Sequence, residues 1–133
     1  MRTFFFSATK ENCSTDCRWQ ICPQRYLAAL QDIAGLQDIE PLGEGYSCFL
    51  RISEKSPKNG DLVILYAKDQ YDLEALVRVR ELFDGLKRIL VVADPACGDD
   101  RKYHLLEPRY ITQAGRNLAE MEAVVHRMAG SVQ

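Results

Sequence analysis

Cys13, Cys17 and Cys22 cluster in one polar stretch, and with Cys48 they are the side chains best suited to hold zinc or an iron–sulfur cluster as thiolates. Their spacings are three and four intervening residues. Metal knuckles favour two, because that geometry turns backbone amides toward the sulfurs, so free thiols are the preferred reading and no bound metal is expected. Asp69 and Asp94 form a second set able to hold a cation. However, Asp69 or Asp72 is placed to cap a helix, and an aspartate before Pro95 starts a turn. His104 and His126 join no constellation of Ser or Cys with an acid, and His126 sits where it favours a helix dipole. Arg78, Arg80, Lys87 and Arg88 read as a solvated face. No residue is assigned a catalytic role.

Composition narrows the classes further. The chain has 133 residues, 47% hydrophobic and 27% charged, which suits one domain spanning residues 1–133 with one real core. A net charge of -2 with scattered basic residues leaves no excess to neutralise a phosphate backbone, so nucleic acid is not expected as a partner. The apolar run Phe4-Phe5-Phe6 is too short for a signal core or a membrane span. Five cysteines, an odd number, fit reduced thiols and a cytoplasmic location better than a disulfide framework.

The elements that would position these residues follow from periodicity. Residues 2–8 read as a buried strand, and Pro23 starts a helix whose Tyr26, Leu27, Leu30, Ile33 and Ala34 recur at helical spacing. Residues 37–42 are a brief extended segment, 46–55 a helix burying Phe49, Leu50 and Ile52, and 56–60 a turn. Leu62 to Tyr66 is a continuous apolar run, as expected of a strand buried on both faces. The next helix carries Leu73, Leu76, Val77, Arg80 and Phe83 on one stripe and ends at Gly85; residues 87–93 form another buried strand. Residues 94–102 read as a loop, 103–106 as a single helical turn, and 109–112 as a last strand. Asn117 with Glu120 opens a final helix burying Leu118, Met121, Val124, Val125 and Met128. The expected architecture is a three-layer α/β/α sandwich on a five-stranded parallel sheet.

In such sheets ligands gather beyond the carboxyl ends of the strands, which singles out Ser7, Thr9, Tyr66, Asp94 and Gln113 as crevice candidates. The alternation, the length and the approach Asp61-Leu62-Val63-Ile64-Leu65 resemble a bacterial response-regulator receiver domain, whose skeleton is shared with flavodoxin-like proteins. The receiver reaction needs an acidic pair after the first strand, an aspartate nucleophile after the third, a hydroxyl after the fourth and a lysine after the fifth. Here those places hold Ser7 and Ala8, then Tyr66, then Val92 or Ala93, then Gln113. The resemblance therefore implies a degenerate receiver that takes no phosphate.

Two narrower resemblances compete with it. Cys13 to Arg18 resembles the phosphate loop of low-molecular-weight tyrosine phosphatases, but four residues separate them instead of five, and Asn12 stands where the nucleophile would be. Residues 7–12 resemble the hydroxyl-rich phosphate loop of flavodoxins, with Trp19, Tyr46, Tyr66 and Tyr71 available to stack on a flavin. That stretch lacks a glycine, and Glu11 sets a carboxylate beside the anion. The leading expectation is a protein-interaction module without a cofactor, working through a protein partner or a homodimer. By the receiver resemblance its face spans residues 103–106, 109–112 and 117–128, with Tyr103, Arg109, Tyr110 and Met121 as contact residues. A flavin binder or a Cys-ligated metal protein is the alternative.

Overall fold

The computed structural model describes residues 3–7, 23–32, 39–44, 60–67, 70–92, 100–113 and 118–130. Within them run β1 (Thr3–Ser7), α1 (Pro23–Gln31), β2 (Glu40–Glu44), β3 (Leu62–Ala67), α2 (Gln70–Arg78), a 3-10 turn (Arg80–Phe83), β4 (Lys87–Val92), α3 (Asp100–Leu105), β5 (Tyr110–Gln113) and α4 (Leu118–Gly130). The strands lie in the order β2-β1-β3-β4-β5, and every neighbouring pair is parallel. That order is consistent with a flavodoxin-like layout. The helix expected over 46–55 and the turn over 56–59 lie outside the described residues.

The apolar runs dictate this arrangement. Every residue of β3 and β4 is buried, as are Phe4 to Ser7 of β1, so each strand needs cover on both sides. Side chains alternate between two clusters. Phe4, Phe6, Val63, Leu65 and Leu90 pack with Leu73 and Leu76 of α2 and with Phe83, whose ring meets Phe6 edge-on at 5.1 Å. Phe5, Ile64, Tyr66, Ile89 and Val91 pack with Tyr26 and Leu30 of α1 and with Met121, Val125 and Met128 of α4. Pro41, which lacks an amide donor, is tolerated because β2, among the described strands, pairs with β1 alone at the sheet edge.

The helical stripe 73–83 is not one helix. At Val79 (φ −110°, ψ 18°) the chain leaves α geometry, the Val79 amide donates to the Leu76 carbonyl at 3.2 Å, and a 3-10 turn continues to Phe83. Val77 and Val79 are β-branched and weaken the helix there, while the 3-10 turn still drives Phe83 into the core. Gly85 takes φ 82°, as its place after the stripe predicted. The segment read as a loop instead contains the start of α3, which begins at Asp100.

The basic residues do not form one solvated face. Arg78 and Arg80 are exposed, but Lys87 and Arg88 are buried at the amino end of β4. Successive strand residues point to opposite faces, so each cation meets a different layer. Lys87 Nζ donates to the Met128 carbonyl at 2.7 Å, in the last turn of α4 where the helix dipole favours a cation. The Arg88 guanidinium reaches the carbonyls of Phe83 and Leu106 on the other face. Lys87→Met, which keeps the stem and removes the donor, should lower the free energy of unfolding by about 1–3 kcal/mol. A urea midpoint below wild type with an unchanged slope would confirm it, and an unshifted midpoint would refute it.

Candidate functional site

The carboxyl edge of the sheet is where a ligand would bind, and the strand register assembles its described rim. Ser7 pairs with Tyr66, Tyr66 with Val91, Ala67 with Val92, and Val92 with Gln113. Three crevice candidates, Ser7, Tyr66 and Gln113, thus share one edge. Thr9 and Asp94, the thiols Cys13, Cys17, Cys22 and Cys48, and also Trp19 and Tyr46 lie outside the described residues.

The shared edge does not make an open stacking site at Tyr66. β3 runs one residue beyond the expected end, to Ala67, and the Tyr66 ring has no exposed surface. It packs 5.3 Å from Tyr26 and 6.0 Å from Phe5, ring centre to ring centre, in the layer beneath α1. Ser7 is likewise buried, at 4% exposure, while Gln113 is half-buried. The β1 and β3 ends therefore meet as packed side chains, and the position where the receiver resemblance puts the nucleophile, Tyr66, belongs to an aromatic cluster.

Burial also sets the acid–base chemistry of that cluster. Removal from water raises the Tyr26 phenol well above its ordinary value, and the nearby Tyr110 adds to the shift because a second phenolate there would repel the first. Tyr26 consequently stays a neutral phenol into the alkaline range where an exposed tyrosine would ionise.

A second surface lies around α3, β5 and the first turn of α4. Tyr103 is half-buried against the Phe83 side of the core, and Tyr110 is half-buried against the opposite side. The Tyr110 hydroxyl donates to the Glu120 carboxylate at 3.3 Å, joining β5 to α4. Arg109 is exposed; its backbone amide donates to the Arg88 carbonyl at 2.8 Å. Met121 packs into the core at 2% exposure and offers no side-chain surface, because its position falls on the inward stripe of α4. The apolar surface is supplied by two residues that sequence reasoning did not single out, Leu105 at 49% and Ile111 at 40% exposure. β-strand alternation carried the signal for Ile111: Tyr110 and Thr112 turn to the α4 side, so Ile111 must turn away from it.

His126 sits exposed near the end of α4, with Nε2 3.7 Å from the Glu122 carboxylate, and His104 is exposed on α3. Among the described residues no three His, Cys, Asp or Glu side chains gather to hold a metal, and no helix is long and apolar enough to cross a membrane.

The burial of Tyr26 has a pH consequence of definite sign. Its folded-state pKa is raised above the unfolded value of about 10, so its contribution is fully present below that pH and is lost as pH rises above it, because only the unfolded chain then releases the proton readily. Urea midpoints measured across this alkaline range should fall more steeply for wild type than for Tyr26→Phe. Parallel curves would contradict the assignment.

Compared with protein-family models, curated proteins and solved structures, the chain matches none.

Proposed function

We propose that this chain is a receiver-like, non-catalytic protein-interaction module of bacterial signalling or regulation that lacks the phosphoacceptor aspartate and acts in the cytoplasm. The complete chain would form a single three-layer sandwich on a five-stranded sheet, and it would bind a protein partner, a second copy of itself being the simplest case. The reading is supported above all by the exposure of Leu105 and Ile111 on the α3–β5 face, beside the exposed Arg109. Large apolar side chains flanked by Arg and Tyr are the composition of a contact surface. β5 adds to this as the edge strand of the sheet, paired with β4 alone among the described strands.

The strand ends support the non-catalytic half of the proposal. Where receiver chemistry needs an acidic pair and an aspartate, Ser7 and Tyr66 are packed inside. Exchange of an aspartate for a tyrosine there removes both the nucleophile and its place at the rim.

Sedimentation of the purified protein tests the proposal. A colourless, metal-free dimer that takes no phosphate from acetyl phosphate is expected, and Ile111→Glu should weaken the dimer about ten-fold or more by setting a charge in an apolar contact. A monomer that incorporates phosphate, or protein carrying stoichiometric flavin, zinc or iron, would overturn it.

A further inference from the structure

Among the described residues, Arg88 holds the turn between α3 and β5 from outside. Glu107 adopts φ 49°, a left-handed conformation that a side chain disfavours, and Pro108 brings no amide donor. Inside the turn the bonds only close the helix end: Leu106 N–H to Tyr103 O at 3.1 Å and Glu107 N–H to His104 O at 3.0 Å. Arg88 supplies the remaining links on both flanks. Its Nη1 donates to the Leu106 carbonyl at 2.9 Å, and its own carbonyl accepts the Arg109 amide at 2.8 Å.

The same guanidinium grips a second element. Nε and Nη2 both donate to the Phe83 carbonyl, at 3.2 and 3.0 Å, where the 3-10 turn ends. The carboxylates of Asp84 and Glu107, 3.6 and 3.7 Å away, are about four-fifths exposed and add little, so the carbonyl bonds dominate. A planar fork spans two carbonyls in fixed directions; a lysine ammonium, a point charge on a flexible stem, reproduces neither the plane nor the span.

We propose that Arg88 is a positioning residue for the α3–β5 face: it couples the end of the 3-10 turn to the 106–109 turn, so that Leu105, Arg109 and Ile111 are presented in one fixed arrangement. The proposal rests on reading that face as an interface, while the coupling itself is measurable without any partner.

Residue-resolved amide exchange in a double-mutant cycle tests it. Gly85→Ala strains the 3-10 end at φ 82° and should speed exchange at the Glu107 and Arg109 amides about ten-fold, with Arg88→Lys doing at least as much. The double variant should exchange there no faster than Arg88→Lys alone, since the link that carries the strain is already gone. Glu107→Gly, which relieves the left-handed strain, should slow exchange again in the Arg88→Lys background. Amides of β1 and β3 should keep wild-type protection. Multiplying factors in the double variant, or faster exchange spread evenly over β1 and β3, would overturn the coupling. A wild-type monomer with the expected exchange pattern would remove the self-association reading and leave the coupling standing.

Discussion

Burial of β3 and β4 on both faces is the constraint from which the rest of the molecule follows. With every residue of these strands inside, both faces of the sheet must be covered, and α1 and α4 pack on one face while α2 packs on the other. The amino edge is then closed by two neighbouring cations. Lys87 takes the Met128 carbonyl of α4 on one side, and Arg88 takes the Phe83 carbonyl of the 3-10 turn and the Leu106 carbonyl just after α3 on the other. Charges this deep persist only when hydrogen-bonded, and here they convert a desolvation cost into ties between layers.

The two edges of the sheet therefore differ in kind. At the amino edge Lys87 and Arg88 are buried and donate to backbone carbonyls. The described carboxyl rim brings Ser7, Tyr66 and Gln113 together, but Tyr66 is committed to Tyr26 and Phe5. Among the described residues the large apolar side chains most open to solvent are Leu105 and Ile111, on α3 and β5, with Leu82 of the 3-10 turn next, and that contrast is why the proposed activity is recognition by a surface instead of chemistry in a crevice.

Much of the fold was legible because its strands are continuous apolar runs. Phe4-Phe5-Phe6, residues 62–66 and residues 87–92 can be little else, and Pro23 and Gly85 mark helix boundaries for reasons of local geometry. The legible part ended where tertiary partners decide. The stripe from Leu73 to Phe83 keeps its inward face through a change from α to 3-10 geometry, so periodicity could not reveal the break at Val79. Lys87 and Arg88 looked solvated because their acceptors, Met128, Phe83 and Leu106, are distant in sequence or are backbone carbonyls invisible to composition. Met121 was placed on a contact face by resemblance, although the inward stripe of α4 already claimed it. Leu105 and Ile111 escaped notice because an exposed apolar residue reads as core until the sheet edge is known.

Backbone amide shifts followed as protein concentration is raised probe the proposed surface without altering a residue. If the α3–β5 face carries self-recognition, the shifts that move will cluster between Tyr103 and Gln113 and on the first turn of α4, while Ser7 and Ala67 stay still. Movement centred on the β1 and β3 carboxyl ends, with residues 103–113 unchanged, would place recognition at the crevice and contradict the account.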